Sequence, residues 1–366
     1  MATISFDDEE LFSERPDWAD VVPLEQYENI SPLAPIFYTE EYKDATNYFR
    51  AIAKSGEKSR RVLELTESVI RQNPAHYSAW QYRYETLLAL LTASSPSGVI
   101  SPSDPLLVAE IELMDILAVR FLKTYQVWHH RRLLVALTRK PQRELQFITR
   151  SLDADVKNYH TWSYRQWLLA YFGGSVDSTG DEDVSEDLWE GELDFVDTML
   201  AQDVRNNSAW HHRFFVVWGC GVREGERDRE RVFKRELTFV KQNISLAPSN
   251  PSAWNYLRGI LKHTSTPFAS VLPFVRPYAV VPSSSESAQR DIVDLENPPP
   301  GEGAELPCAE ALEFLADAYE IQGGADGVKS AVEIWTSLAN KYDPIRKKYW
   351  EHRIRDAHQA LKKANA

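Results

Sequence analysis

A chain of 366 residues with net charge −13 and pI near 5.3 offers no basic face to nucleic acid or an anionic membrane as a main partner. With 43% hydrophobic residues it can bury a sizeable core; its two cysteines, Cys220 and Cys308, lack CxxC spacing, which argues against a disulfide framework or thiolate zinc site and fits a reducing compartment. The acidic start (Asp7, Asp8, Glu9, Glu10) is wrong for a signal or transit peptide, and the longest apolar run, near Leu87–Leu91, is too short to span a bilayer, so the sequence reads as soluble and cytoplasmic.

Residues 1–30 read as an extended, loosely packed acidic segment, and residues 31–366 as one helical-repeat domain. Ile36, Phe37, Tyr42, Tyr48, Phe49 and Ile52 predict an amphipathic helix that opens the array. Then one local pattern recurs five times. It reads Asn73-Pro-Ala-His-Tyr-Ser-Ala-Trp80-Gln-Tyr-Arg83, Lys123-Thr-Tyr-Gln-Val-Trp128-His-His-Arg131, Lys157-Asn-Tyr-His-Thr-Trp162-Ser-Tyr-Arg165, Arg205-Asn-Asn-Ser-Ala-Trp210-His-His-Arg213 and Asn250-Pro-Ser-Ala-Trp254-Asn-Tyr-Leu-Arg258. A weaker sixth copy is Tyr349-Trp350-Glu-His-Arg353. Between tryptophans, Leu106, Ile111, Met114 and Leu117, then Leu145, Phe147, Ile148 and Leu152, then Leu188, Val196, Met199 and Leu200, then Val232, Leu237, Val240 and Ile244 recur mostly at three- and four-residue intervals.

The tryptophan spacings are 48, 34, 48 and 44 residues, and each longer step holds a helix-breaking loop at 94–103, 173–183 or 219–228. The common unit of 34 residues suits two helices and short turns. The fold class expected is all-α: αα-hairpins stacked into a right-handed α-solenoid superhelix. Residues 282–307, with Pro298-Pro-Pro and several acids, read as a long surface insertion, and 308–322, 327–340 and 344–362 as closing helices.

The recurring Trp and Arg share a helix face. A buried indole N–H needs an acceptor, and the Arg is expected to bond carboxylates or helix-end carbonyls of a neighbouring unit. That is a stacking device. Copies two and three add something else before the Trp: Lys123-Thr124-Tyr125-Gln126 and Lys157-Asn158-Tyr159-His160, where copies four and five have Asn207 and Pro251 in place of the Tyr. On one rim these groups offer an ammonium, phenols and an imidazole without a counter-carboxylate, a set suited to a phosphate or diphosphate. Helix capping explains the polar residues nearly as well. No complete catalytic motif is present, the adjacent pairs His129-His130 and His211-His212 point apart and do not chelate, and the acid run 181–187 reads as a solvated loop. The array therefore reads as a scaffold that lends a few groups to a site completed elsewhere.

The runs Tyr125-Gln-Val-Trp-His-His-Arg-Arg132 and Lys157-Asn-Tyr-His-x-Trp-x-x-Arg-Gln-Trp167 resemble the α subunits of protein prenyltransferases, nearest to the α subunit shared by farnesyltransferase and type I geranylgeranyltransferase. Asp17-Trp-Ala-Asp20 and the runs at 48–51, 253–259 and 345–350 are similar too, so the likeness covers residues 17 to 355. The resemblance implies a crescent-shaped solenoid wrapped around a β subunit. Together they would transfer farnesyl or geranylgeranyl from its diphosphate to the cysteine thiol of C-terminal CaaX sequences. It implies Zn2+ in the β subunit and Mg2+ with the diphosphate. Lys123 and Tyr125 would be catalytic, Lys123 binding the diphosphate as charge develops on it. Tyr159 and His160 would line the same region, with Asn158 nearby. Gln126 would bind the CaaX carboxylate, and Tyr77 would lie near the peptide and product exit groove. Thr124 departs from the family's usual Asn. The competing expectations are a Rab geranylgeranyltransferase α subunit and a non-catalytic tetratricopeptide-like scaffold, whose Trp-x-x-Leu-Gly-x-x-Tyr pattern the sequence lacks.

Overall fold

A computed structural model of the chain describes residues 10–27, 30–95, 98–174, 186–219, 227–280, 294 and 296–364. The expected loop residues 96–97, 175–183 and 220–226, and with them Cys220 and most of the acid run, lie outside this set, as do 282–293 and 295 of the insertion. Among the described residues there are fifteen α-helices and no strand. They are α1 (Glu40–Ser55), α2 (Arg60–Gln72), α3 (Tyr77–Ser94), α4 (Pro105–Arg120), α5 (Tyr125–Thr138), α6 (Pro141–Ala154), α7 (Tyr159–Gly173), α8 (Glu192–Gln202), α9 (Asn207–Phe214), α10 (Arg229–Leu246), α11 (Pro251–His263), α12 (Leu272–Val275), α13 (Ala309–Gln322), α14 (Gly324–Ser337) and α15 (Lys347–Ala364). The chain divides inside α7 into two compact units, Met1–Leu168 and Leu169–Ala366.

The first unit holds the hairpins α2–α3 and α4–α5, then α6 and the start of α7. The second holds α8–α9, α10–α11 and the closing helices α13, α14 and α15. Local signals set the starts. Asp104 caps α4 by accepting from Leu106 N at 2.8 Å, and Pro105 follows at the first helical position, where its missing N–H costs nothing. Asn206 caps α9 and Asn250 caps α11 in the same way.

Every repeated Trp is buried, and its indole N–H donates to the carbonyl six residues earlier. The pairs are Trp80 to Pro74, Trp128 to Leu122, Trp162 to Val156, Trp210 to Val204 and Trp254 to Pro248, all at 2.8–2.9 Å. One side chain thus fills the hairpin and ties off the turn before its own helix. Trp350 departs from this and donates to the Asp343 carboxylate at 3.0 Å.

The Arg of the pattern reaches the next hairpin, as expected, but its partner is specific. Arg83 on α3 forks onto Glu110 of α4 at 2.7 and 2.7 Å, Arg131 on α5 onto Glu144 of α6 at 2.8 and 2.8 Å, and Arg213 on α9 onto Glu236 of α10 at 2.7 and 3.1 Å. Each of these carboxylates is buried and also meets a residue two places after its own hairpin's Trp: His130, Tyr164 and Tyr256 respectively. His212 bonds Glu192 by the same spacing, at 3.0 Å. Of the two paired histidines, His130 and His212 therefore turn inward onto carboxylates.

Three segments differ from the sequence expectation. Ile36 and Phe37 precede α1 rather than joining it, and both are exposed. Thr39 caps the helix by accepting from Tyr42 N, which fixes its start at Glu40. The N-terminal segment is not loose around Trp18. That ring is fully buried, edge-on to Phe12 and Tyr48, with the Arg61 guanidinium over it at 4.9 Å and bonded onward to Asp20. The downstream part of the insertion is also pinned. Lys241 donates to Glu296 O at 2.9 Å, Tyr278 OH to Pro298 O at 2.8 Å, and Gly301 N to Ser245 O at 2.9 Å.

Candidate functional site

The first turns of α3, α5 and α7 present the residues singled out by sequence. Tyr77, Tyr125 and Tyr159 are each the first residue of their helix, three positions before the Trp. A first-turn side chain has no preceding turn to pack on, and all three rings are exposed, at 72%, 67% and 66%.

Copies two and three converge. The Tyr125 ring meets the His160 ring edge-on at 4.3 Å, and Tyr159 lies 6.5 Å from Tyr125 and 5.5 Å from His160. Partial burial lowers the His160 pKa, and a hydrogen bond with the Lys123 main chain opposes this in part. His160 is therefore a neutral imidazole at neutral pH. Its protonation adds charge to the cluster only in acid.

Lys123 stands beside them with its side chain 81% exposed. A counter-carboxylate is present, contrary to the sequence expectation: Asp155 Oδ2 lies 3.9 Å from Lys123 Nζ. A pair this long and this exposed contributes little, so the ammonium stays available to a stronger anion. Asp155 chiefly holds its turn. It accepts from Lys157 N at 3.3 Å and Asn158 Nδ2 at 3.4 Å, and Asp203 does the same for Arg205 N at 2.9 Å in copy four. Because Asp in this turn serves as a turn former in both copies, the sequence did not mark it as a neighbour of Lys123.

Asn158 is 3% exposed, its Oδ1 caps α7 by accepting from Thr161 N at 3.0 Å, and its Nδ2 faces Leu122 O and Asp155. Asn158 therefore lies near the cluster, as expected, with its amide turned to the fold in the free chain. In copy two the same N-cap position is Thr124, whose side chain makes no cap bond. The N-terminus of α5 is thus left without a side-chain acceptor, and its partial positive charge lies between Lys123 and Tyr125. Gln126 connects this cluster to copy one. Its Nε2 donates to Ala75 O at 3.2 Å, in the turn that carries Tyr77, which leaves its second N–H and its carbonyl oxygen for a ligand. Among the described residues no group of three or more His, Cys, Asp or Glu is placed to hold a metal ion.

The rim therefore carries an exposed ammonium, two phenols, a neutral imidazole and an open helix N-terminus, flanked by an amide and a third phenol. The protein prenyltransferase alpha subunit repeat matches residues 59–90, 107–138, 141–172, 189–219 and 233–264. The chain is 34% identical over 361 residues to a Dictyostelium discoideum protein named protein farnesyltransferase/geranylgeranyltransferase type-1 subunit alpha, covering 97% of this chain and 96% of that one. The chain belongs to the protein prenyltransferase α-subunit family. The fold of a Candida albicans protein geranylgeranyltransferase-I complexed with GGPP matches this prenyltransferase α chain with a TM-score of 0.69 at 29% identity, over 93% of this chain and 98% of that one. A mouse protein named geranylgeranyl transferase type-2 subunit alpha is 30% identical, but over 60% of this chain and 37% of its own length. The five family repeats fall on α2–α3, α4–α5, α6–α7, α8–α9 and α10–α11, so each family unit is one hairpin with its Trp on the second helix.

Proposed function

We propose that this chain is the α subunit of a heterodimeric protein prenyltransferase of the farnesyltransferase/geranylgeranyltransferase type-1 kind. With its β subunit it transfers farnesyl or geranylgeranyl from the diphosphate to the cysteine thiol of a C-terminal CaaX sequence. The observation that carries the site reading is the convergence of Lys123, Tyr125, Tyr159 and His160 beside the open N-terminus of α5. As the bond between the isoprenyl carbon and the diphosphate oxygen breaks, negative charge grows on the leaving group. Lys123 exchanges its weak contact with Asp155 for that charge and stabilises it. Tyr125 and Tyr159 donate phenol hydrogens to the same oxygens. His160 orients Tyr125 through their edge-on contact and offers one ring nitrogen. Gln126 and Tyr77, on the copy-one side, hold the peptide, with Gln126 donating to its terminal carboxylate.

The donors on this rim suit phosphate oxygens, while an ammonium and neutral phenols are poor ligands for a divalent cation. Zn2+ is accordingly assigned to the partner subunit, where it would keep the attacking thiol as thiolate, and Mg2+ to the diphosphate itself. No helix among the described residues is long and apolar enough to cross a membrane, and a cytoplasmic location is part of this proposal. Full-length similarity favours the type-1 kind over a Rab-specific α subunit. Co-expression with the β subunit from the same organism tests the assignment. The heterodimer is expected to prenylate a CaaX peptide. Transfer to a Rab protein alone, or no association with β, contradicts it.

A further inference from the structure

We propose that residues Ile30–Phe37 form an arm that docks on the partner subunit; this rests on the heterodimer proposed above. Ile30 is 67% exposed, Leu33 105%, Ile36 60% and Phe37 90%. Four large apolar side chains on eight consecutive residues are an unusual exposure for a soluble chain, and they span about 25 Å if extended.

The backbone that carries them is fixed. Ile30 N donates to Tyr27 O at 3.1 Å and Ile36 N to Tyr27 OH at 2.9 Å. Gln26 Nε2 holds both Tyr27 OH at 3.1 Å and Tyr38 OH at 3.2 Å. The arm is thus tied at both ends to Tyr27, while Ile30, Leu33, Ile36 and Phe37 stay exposed. Pro32 and Pro35 supply no N–H, which disfavours strand addition, so recognition runs through side chains entering apolar pockets. Phe37 is the natural anchor, because a buried aromatic ring dominates such contacts.

The occupant follows from what the arm adjoins. Tyr38 packs edge-on against Tyr42 at 4.7 Å, and Tyr42 OH accepts from Asn73 Nδ2 at 2.8 Å. Asn73 opens the turn whose Ala75 carbonyl receives Gln126 and whose helix begins with Tyr77. The arm is therefore continuous with the rim that the partner must cover to complete the site. A second copy of this chain fits poorly. Exposed Glu40 and Glu41 lie three and four residues after Phe37, so arm-to-arm packing would bring four carboxylates near one another on chains of net charge −13.

The test compares wild type with the double substitution Leu33→Asp, Phe37→Asp and with Phe37→Ala alone, each mixed with the purified β subunit. Subunit dissociation is followed by sedimentation across a dilution series. The double variant is expected to weaken pairing at least about tenfold and Phe37→Ala by less, with the melting temperature of the free chain unchanged. Amides of Ile30–Phe37 should gain hydrogen-exchange protection only when β is present. Wild type that pairs while the double variant pairs equally well overturns the arm alone. Variants that change self-association of the isolated chain instead overturn it in favour of a second copy. Failure of the wild-type chain to pair with β overturns the arm together with the heterodimer reading.

Discussion

Lys123→Ala is expected to slow single-turnover prenyl transfer by the heterodimer about 100- to 1,000-fold, the range for removing one donor aimed at developing charge. The side chain is 81% exposed and its ion pair with Asp155 is 3.9 Å long, so its removal takes little from the packing of the first unit. Binding of the intact isoprenyl diphosphate should weaken much less than the rate falls, because the leaving group gains charge only as the bond breaks. Rapid-quench measurement with saturating isoprenyl diphosphate separates the two effects. Equal rates for wild type and Lys123→Ala would sink the role given to this residue. Pairing with β should be unaffected.

Glu236→Ala is expected to cost about 3 kcal/mol of stability, the lower end for breaking a buried pair by removing one partner. Glu236 is fully buried and receives Arg213 at 2.7 and 3.1 Å, Arg235 at 2.8 Å and Tyr256 OH at 2.7 Å. Without it the Arg213 guanidinium keeps, among the carboxylates of the described residues, Asp197 at 2.5 Å, which is half exposed. By contrast Glu230→Ala, which breaks an exposed pair with Lys234, should cost less than about 0.5 kcal/mol. Urea unfolding of the two variants decides the ranking, and comparable losses would contradict it.

The same network sets the response to acid. The Arg213 guanidinium beside Glu236 holds its carboxyl below the ordinary value of 4.5 despite burial, so its contribution is complete above pH 4.5 and is lost as pH falls through the folded value. Burial pushes the His130 imidazole below 6.5, which has the same sign. The unfolded chain takes up a proton that the folded chain refuses, so stability starts to fall below pH 6.5. His76 and His160 are lowered by burial as well, so His130→Gln should shrink that first stage rather than abolish it and leave the loss at lower pH in place; melting temperatures between pH 7.5 and 4 check this.

Much of the fold was legible because the tryptophans recur with a constant context. A Trp fixed three or four residues before an Arg marks a helix face, and the 34-residue step marks a hairpin. The carboxylate layer was equally regular but went unread. Glu110, Glu144, Glu192 and Glu236 each precede a Trp by eighteen residues, and His130, Tyr164, His212 and Tyr256 each follow it by two. A lone Glu in a helical pattern reads as a surface residue, since the Arg that neutralises it lies in a different copy. The helix expected over Ile36 and Phe37 failed for another reason. Apolar periodicity does not see a start signal, and the Thr39 cap starts the helix at Glu40, four residues after the apolar pattern begins at Ile36.

The candidate site stands out in the sequence where copies differ. Tyr125 and Tyr159 stand where copies four and five have Asn207 and Pro251, which separates them from the stacking residues. Asn158 could not be separated that way. Asn206 and Asn250 occupy its position in the other copies and do the same capping work, so capping by itself accounts for its polarity.

The central claim is that all copies share the stacking residues while only the rim before Trp128 and Trp162 reacts. Single-turnover rates of the heterodimer test it most directly, comparing Tyr125→Phe and Tyr159→Phe with Arg205→Ala and Asn207→Ala at exposed positions of copy four. Each phenol lost should slow transfer at least about tenfold, as expected for one hydrogen bond to a charged oxygen, and the copy-four variants should stay within about twofold of wild type. Equal slowing by both sets, or by neither, would contradict the account.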